Sequence, residues 1–433
     1  MSPITRRQFL SASVAGLTLS TWPVGKLPAA VGANEKVQVG IVGLGSRGFN
    51  LLDAFLAQSN VAIVALCDVH DLHYRDRSWG QGAPMGLQPA VERVRKSGSP
   101  APRTTSDSRE LCAAGDLDAI VVATPDHWHA LCTLDAIRHG KDVYCEKPVT
   151  HLFGEGQRIC EAVAKHQAVF QTGSQQRSDP LFQRALALIE SGVLGRIERI
   201  EVGLPPGYAE PQDSVEVADT PSGLDYDRWC GPAPKLPYMR ARHHRWWRGH
   251  RAYGGGVLMD WIGHHNDIAQ LSLKTQGPCE VHAVEWVFPP TDVYDTPAQY
   301  TIACRYADGV TSTISSRNSQ GVKWFGETGW LYVRRGHMEA SRPEILKGLP
   351  SLPKVEATVP HVRNFVDCIS SRKECIAPAK AAHQSITPGH LGYLSQRLGQ
   401  KLNWDPATET ITNSTVADAD LKSVSYRDGW DDA

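Results

Sequence analysis

Two textures of hydrophobic patterning divide the chain. Between Lys36 and residue 150, short apolar runs (Lys36–Val42, Val61–Cys67, Asp118–Ala123, Lys141–Cys145) alternate with helix-like segments such as Phe49–Gln58 and the stretch leading to His139. Runs that are apolar throughout predict strands buried on both faces, and strand–helix alternation predicts a parallel sheet wound with helices on either side. Beyond residue 150, the helix-like Gly154–Gln167 and Leu181–Ser191 lead into alternating β-branched and aromatic runs: Arg196–Leu204, Cys279–Phe288, Ala298–Tyr306, Val310–Ser316 and Gly329–Val333. Their spacing predicts an antiparallel sheet. The expected fold class is therefore α/β, with an N-terminal Rossmann-type doubly wound parallel sheet over 34–150. A C-terminal α+β domain with an open, largely antiparallel sheet is expected over 151–433, its last helix packing back on the first domain. Asp71 to Pro102, rich in Gly, Pro, Arg and Ser, reads as a long insertion between the second and third strands and is assigned no chemistry. Gly231–Pro237 reads as a semi-rigid connector.

Composition removes several classes. Hydrophobic residues are 41% and charged residues 21% of the chain, the balance of a protein that buries real cores. The 45 Lys and Arg against 46 Asp and Glu leave a formal charge of -1, so no global field favours nucleic acid. Apolar runs such as Val61–Cys67 fall far short of the roughly 18 residues a membrane helix needs. Ten cysteines occur without a C-x-x-C pair or a Cys/His cluster, so buried thiols and no metal site are expected.

The first residues read as an address. Arg6-Arg7-Gln8-Phe9-Leu10 precedes an apolar, small-residue stretch from Ser11 to Ser20, and Val31-Gly32-Ala33 offers a cleavage site. This order predicts a Tat export signal over 1–33, with the Tat translocase as a transient partner and a periplasmic or otherwise exported mature chain. Tat carries folded proteins, which suits a cofactor loaded before export.

The candidate chemistry begins at Gly43-Leu44-Gly45-Ser46-Arg47-Gly48, between a buried strand and a helix. There the first glycine makes the turn, the second lets backbone approach a pyrophosphate, and the third packs helix on strand. Asp68 ends the second strand, where an acid binds ribose hydroxyls and repels a 2′-phosphate, so NAD is expected rather than NADP. Parallel sheets bind ligands at the carboxyl ends of their strands. Thr124 and Pro125, Glu146 and Lys147 fall there, and with Ser46, Arg47 and the nearby His129 they complete the expected cofactor set. In the second half, Gly254-Gly255-Gly256 opens a helix that places Asp260, His264 and Asp267 within about 60° of one another and turns His265 away. A carboxylate beside an imidazole fixes its tautomer and can raise its pKa, giving a general acid/base. Gln175-Gln176-Arg177 after the strand-like Val169–Thr172 could reach sugar hydroxyls or form a solvated loop. The basic and aromatic run Arg240–Arg248 is expected to fold over a sugar pocket, with Trp247 as a stacking platform.

Gly43-x-Gly45-x-x-Gly48, Glu146-Lys147-Pro148 and Gly254-Gly255-Gly256…Asp260-x-x-x-His264-x-x-Asp267 together resemble the Gfo/Idh/MocA oxidoreductases over most of the mature chain. The resemblance implies an NAD(P)-dependent enzyme acting on a sugar, glycoside or cyclitol hydroxyl. In it Lys147 would polarise the hydroxyl, His264 would accept its proton and Asp260 would help hold substrate and imidazole. Gln176, Arg177 and Trp247 join Asp260 and His264 as expected substrate contacts. The resemblance extends to Tat-exported members that share Gln175-Gln176-Arg177-Ser178 and the terminal Tyr426-Arg427-x-x-Trp430. A tightly bound, internally recycled NAD and a homo-oligomer formed through the open sheet are expected. Thr124-Pro125-Asp126 stands where many relatives have Thr-Pro-Asn, leaving the role of Asp126 open. Two rival functions remain: an NAD-dependent glycosidase with no net redox, against which Lys147 argues because the known α-N-acetylgalactosaminidases of the superfamily lack that lysine, and a non-catalytic nicotinamide-binding protein.

Overall fold

The computed structural model describes residues 36–75, 81–347 and 357–430, and the expected export signal lies outside them. The first sheet is built from β1 (Val37–Val42), β2 (Val61–Cys67), β5 (Arg103–Thr105), β6 (Ala119–Val122), β7 (Asp142–Cys145) and β8 (Phe170–Thr172). β3 (His73–Tyr74) and β4 (Pro84–Met85) form a small hairpin inside the Asp71–Pro102 insertion. The six strands are parallel in the order β5-β2-β1-β6-β7-β8, so the winding reverses between β1 and β6. Every residue of β6 and β7 is buried, as their unbroken apolar runs require. The one charge among them, Asp142, is satisfied by Arg372 at 2.6 Å and the Val169 amide at 2.7 Å. β8 pairs with β7, Val143 opposite Phe170, so the parallel sheet runs past the boundary expected at residue 150. The Val169–Thr172 run completes the first sheet instead of opening the second domain.

The second sheet contains β9 (Ile197–Gly203), β10 (Glu280–Val287), β11 (Gln299–Arg305), β12 (Thr311–Ser315), β13 (Gly321–Gly326), β14 (Gly329–Arg334), β15 (His337–Ala340), β16 (Leu402–Asp405) and β17 (Thr410–Ile411). Its order is β15-β14-β13-β9-β12-β11-β10-β16-β17, antiparallel throughout except where β9 meets β12. Alternate residues such as Ile200, Val202, Ile302, Ile314 and Trp324 are buried beneath the helices Gly256–Leu271 and Ala379–Leu398. The opposite face mixes charged and aromatic side chains, with Arg199 lying 3.6 Å over the Phe325 ring and Lys323 3.8 Å over Trp330. Eight of the ten cysteines are buried thiols. No helix among the described residues is long and apolar enough to cross a membrane.

Segments from the C-terminal half return to the first sheet. The helix Thr358–Ser371 buries Val362, Phe365 and Val366 against the helix Ser46–Leu56. There Phe55 meets Tyr144 and Phe365 edge to face at 5.8 and 6.3 Å, contacts worth about 0.5–1.5 kcal/mol each beyond burial. The terminal helix Thr415–Lys422 lies against Phe153–His166, and Trp430 packs edge-on to Trp128 at 5.1 Å. These contacts fix the two sheets around the cleft that holds the site.

Candidate active site

A cleft of about 190 Å³ opens at the carboxyl ends of β1, β2 and β6. Gly43 turns the chain with φ +90°, and a Cβ there would meet the Ala123 carbonyl at 2.6 Å. At Gly48 a Cβ would strike the Gly43 carbonyl at 2.0 Å, so this residue seats the helix on the loop. A Cβ on Gly45 meets nothing within 4 Å, because this glycine faces the open cleft. The helix Ser46–Leu56 begins at Gly45 with no side-chain cap, leaving first-turn N–H groups for an anion. Asp68 lines the same cleft, its carboxylate accepting from the Leu44 and His70 amides at 2.5 and 2.9 Å. Burial nevertheless pushes its pKa up to about 6. Arg47 Nε donates to Glu146 at 2.8 Å while its Nη2 is buried without a partner, as is Thr124 Oγ1. An open glycine cradle, an uncapped helix terminus, an acid beside them and orphaned donors fit a dinucleotide.

The second half supplies the opposite wall through Trp229, Trp247 and Arg248, and behind Arg248 lies a cluster of charged groups. Lys147, just past β7, donates to the Asp260 carboxylate at 2.6 Å and to the Asp260 carbonyl at 2.9 Å. An ammonium has three protons, so one is left for a ligand. Arg248 Nε also lies 3.2 Å from Asp260, and its guanidinium stacks 4.1 Å over Trp247. His264, on the helix Gly256–Leu271, is buried with its Nδ1 unpartnered. Burial, then the Lys147 and Arg335 cations, hold its pKa well below the ordinary imidazole range. The expectation that Asp260 would raise that pKa is therefore corrected: the carboxylate serves Lys147 and Arg248, and the imidazole stays neutral among cations. Asp126 is also buried beside this cluster, and burial pushes its carboxyl up to about 7, partly offset by Arg248.

Three other expected contacts serve the scaffold. His129 is buried with its ring nitrogens at the Pro148 and Thr124 carbonyls (2.6 and 3.0 Å), bracing the segment that carries Lys147 instead of facing the cofactor cleft. Glu146 acts through Arg47 and Gln175, both of which donate to its Oε1. The guanidinium of Arg177, an expected sugar contact, is engaged within the protein: it grips Asp267 through two 2.7 Å bonds and gives a third to the Ile376 carbonyl. Gln176 is buried, its amide oriented by its neighbours to donate to the His264 carbonyl at 2.8 Å and accept from Arg335 at 3.1 Å. Pro125 and Trp247 line the cleft with Ser46 and Arg47. Sequence reasoning missed His73, Tyr74 and Arg75, which bring the insertion to the cleft, and Trp128, Trp229 and Trp430, which gather there from three segments. Trp430 belongs to the shared Tyr426-Arg427-x-x-Trp430 ending, which did not say where its ring would lie, and no local motif marks the others.

A nucleotide cradle in a reversing parallel sheet, with a lysine at that sheet's edge meeting an aspartate and a histidine from a second domain, defines a two-domain oxidoreductase of the nicotinamide-binding class. Two family descriptions match the chain: "Oxidoreductase family, NAD-binding Rossmann fold" over residues 37–174 and "Oxidoreductase family, C-terminal alpha/beta domain" over 183–432. The chain belongs to the Gfo/Idh/MocA oxidoreductase family. It is 30% identical over 220 residues to a glycosyl hydrolase family 109 protein of Saccharopolyspora erythraea, covering 45% of this chain and 44% of that protein. It is 30% identical over 137 residues to an alpha-N-acetylgalactosaminidase of Shewanella oneidensis, covering 31% of this chain and 27% of that one. The matches thus span less than half the length of these curated relatives. The aldose-aldose oxidoreductase of Caulobacter crescentus, solved with glycerol, shares the fold at TM-score 0.62 and 18% identity, over 85% of this chain and all of that one.

Proposed function

We propose that this chain is an NAD-dependent oxidoreductase that moves a hydride between nicotinamide and a CH–OH carbon of a sugar, glycoside or cyclitol. The observation that carries the reading is the Lys147 ammonium, anchored by Asp260 with one proton uncommitted, beside the neutral His264 imidazole. When bound, nicotinamide supplies the hydride acceptor or donor. His264 takes the hydroxyl proton, and Lys147 donates to the oxygen as it becomes an alkoxide, the charge that a fixed cation stabilises best in a water-poor site. Asp260 keeps the ammonium aimed, and Arg248 shares the carboxylate. Asp68 favours NAD over NADP by accepting from ribose hydroxyls and repelling a 2′-phosphate. Arg6 and Arg7 support export with the cofactor already bound, and the exposed face of the second sheet is the surface for a homo-oligomer.

The similarity to glycosyl hydrolase family 109 proteins supports a second reading, a glycosidase that oxidises transiently and shows no net redox. Lys147 favours the first. The test is to denature the purified protein, identify the released nucleotide, and screen the intact protein on sugars and glycosides. Net reduction of nicotinamide with a ketone product supports the dehydrogenase, hydrolysis without net redox selects the glycosidase, and failure to hold or bind NAD refutes both.

A further inference from the structure

Resting on that reading, we propose that Arg335 and Trp261 form an anion subsite beside His264 that takes a carboxylate carried by the sugar, making the substrate a sugar acid. Arg335 lies in the turn between β14 and β15, where the second sheet reaches the site. Two independent routes tie it to His264. Its Nε donates to the Gln176 amide, which donates in turn to the His264 carbonyl. Its Cζ also lies 5.1 Å from the centre of the Trp261 ring, itself 5.5 Å from the His264 ring.

Charge pairing separates this arginine from the other cations nearby. Arg47 pairs with Glu146, Lys147 and Arg248 share Asp260, and Arg177 is taken by Asp267. Among the described residues no carboxylate lies within 4.0 Å of Arg335. The fork of its guanidinium is left for a planar anion, which it matches in two parallel bonds. The local field agrees, since Lys147, Arg335 and Arg47 all press the His264 pKa down. The cofactor phosphates do not explain Arg335, because the dinucleotide cleft is lined by Arg47 and the glycine loop and not by this residue. Arg335 is exposed and solvated; a neutral sugar would displace that water without supplying an opposite charge, whereas a uronate or aldonate would supply one and set one end of the sugar relative to Lys147.

The experiment titrates nicotinamide-loaded protein by calorimetry with D-glucuronate, D-galacturonate and D-gluconate, with D-glucose and D-galactose as neutral counterparts and glucose 6-phosphate as the phosphate arm. At least one sugar acid should bind roughly ten- to hundredfold tighter than its neutral counterpart, the scale of a charge-assisted bidentate contact. Arg335→Gln should collapse that ratio to near one and Arg335→Lys should restore part of it, while Arg334→Gln, at the neighbouring position and exposed like Arg335 itself, should leave it unchanged. Melting curves and retained nicotinamide check that each variant folds and stays loaded. Equal affinity for acids and neutral sugars overturns the proposal, as does an equal loss for both in Arg335→Gln, preference for the sugar phosphate, or loss of nicotinamide on replacing Arg335. Reduction of nicotinamide is read separately. Tight, Arg335-dependent binding with no redox on any sugar keeps the subsite and removes the oxidoreductase reading; turnover of neutral sugars indifferent to Arg335 does the reverse.

Discussion

Asp267→Leu should cost about 3–5 kcal/mol of folding free energy, the usual penalty for leaving one partner of a buried ion pair alone. The side chains of Arg177 and Asp267 are 5% and 0% exposed and meet through two bonds of 2.7 Å, so the stranded guanidinium would have no water to turn to. Since 1.4 kcal/mol is a factor of ten, the unfolding constant should rise roughly 100- to 3,000-fold. Arg177→Met combined with Asp267→Leu removes both charges and leaves only the Ile376 carbonyl without its donor, a loss of about 1–3 kcal/mol. The double variant should therefore be more stable than Asp267→Leu alone. Urea midpoints read by fluorescence give the three free energies, and titration with sugars gives binding in the same samples. Strict additivity of the two substitutions would refute the pairing argument. An Arg177→Met variant with an unchanged midpoint but weakened sugar binding would show instead that Arg177 is a substrate contact.

Below pH about 6 the Asp68 carboxylate gains a proton, so NAD affinity should fall there by up to about tenfold per pH unit, and Asp68→Ala should abolish that dependence and narrow the preference over NADP. For the nucleotide-free fold the sign is opposite: the folded pKa lies above the unfolded one, so the stability contributed by protonated Asp68 is full below the unfolded value and lost as pH rises through about 6. His264→Asn should lower kcat by roughly 10²–10⁴ while bound NAD is retained, measured by single turnover. His265→Ala should instead strip the Gly203 carbonyl of its 2.7 Å partner and cost about 1–3 kcal/mol of stability, with kcat of the folded enzyme changed less than about tenfold; a larger kcat loss there than at His264 would misplace the base. Replacing Arg6 and Arg7 by lysine should trap folded precursor in the cytoplasm on cell fractionation, and normal periplasmic delivery would refute a Tat route.

Much of the site is written locally. Gly43, Gly45 and Gly48 announce a turn, an approach and a helix seat within six residues of chain, although Gly43 is also required by the Ala123 carbonyl on a neighbouring strand end. The buried runs of β1, β2, β6 and β7 follow from unbroken apolar stretches, and the helix bearing Asp260 and His264 follows from its glycine-led start and spacing. The short, glycine-bounded β13 carries Lys323 on the exposed face and has no clear alternation, so its sequence does not announce a strand.

The sequence by itself determined two domains, a nucleotide loop, and the placing of Asp68 and Lys147 at strand ends and of His264 on a glycine-led helix, since periodicity and motif are properties of a few consecutive residues. Tertiary structure alone decided which carboxylate answers which cation. Asp260 belongs to Lys147 across 113 positions and not to the histidine four residues away, and Asp267 belongs to Arg177 across 90. The same packing left Arg335 with no carboxylate within 4.0 Å among the described residues and brought Trp128, Trp229 and Trp430 to one cleft. Burial makes each charge need a partner, but the partner is chosen by how sheets and helices stack, and no stretch of chain records that choice.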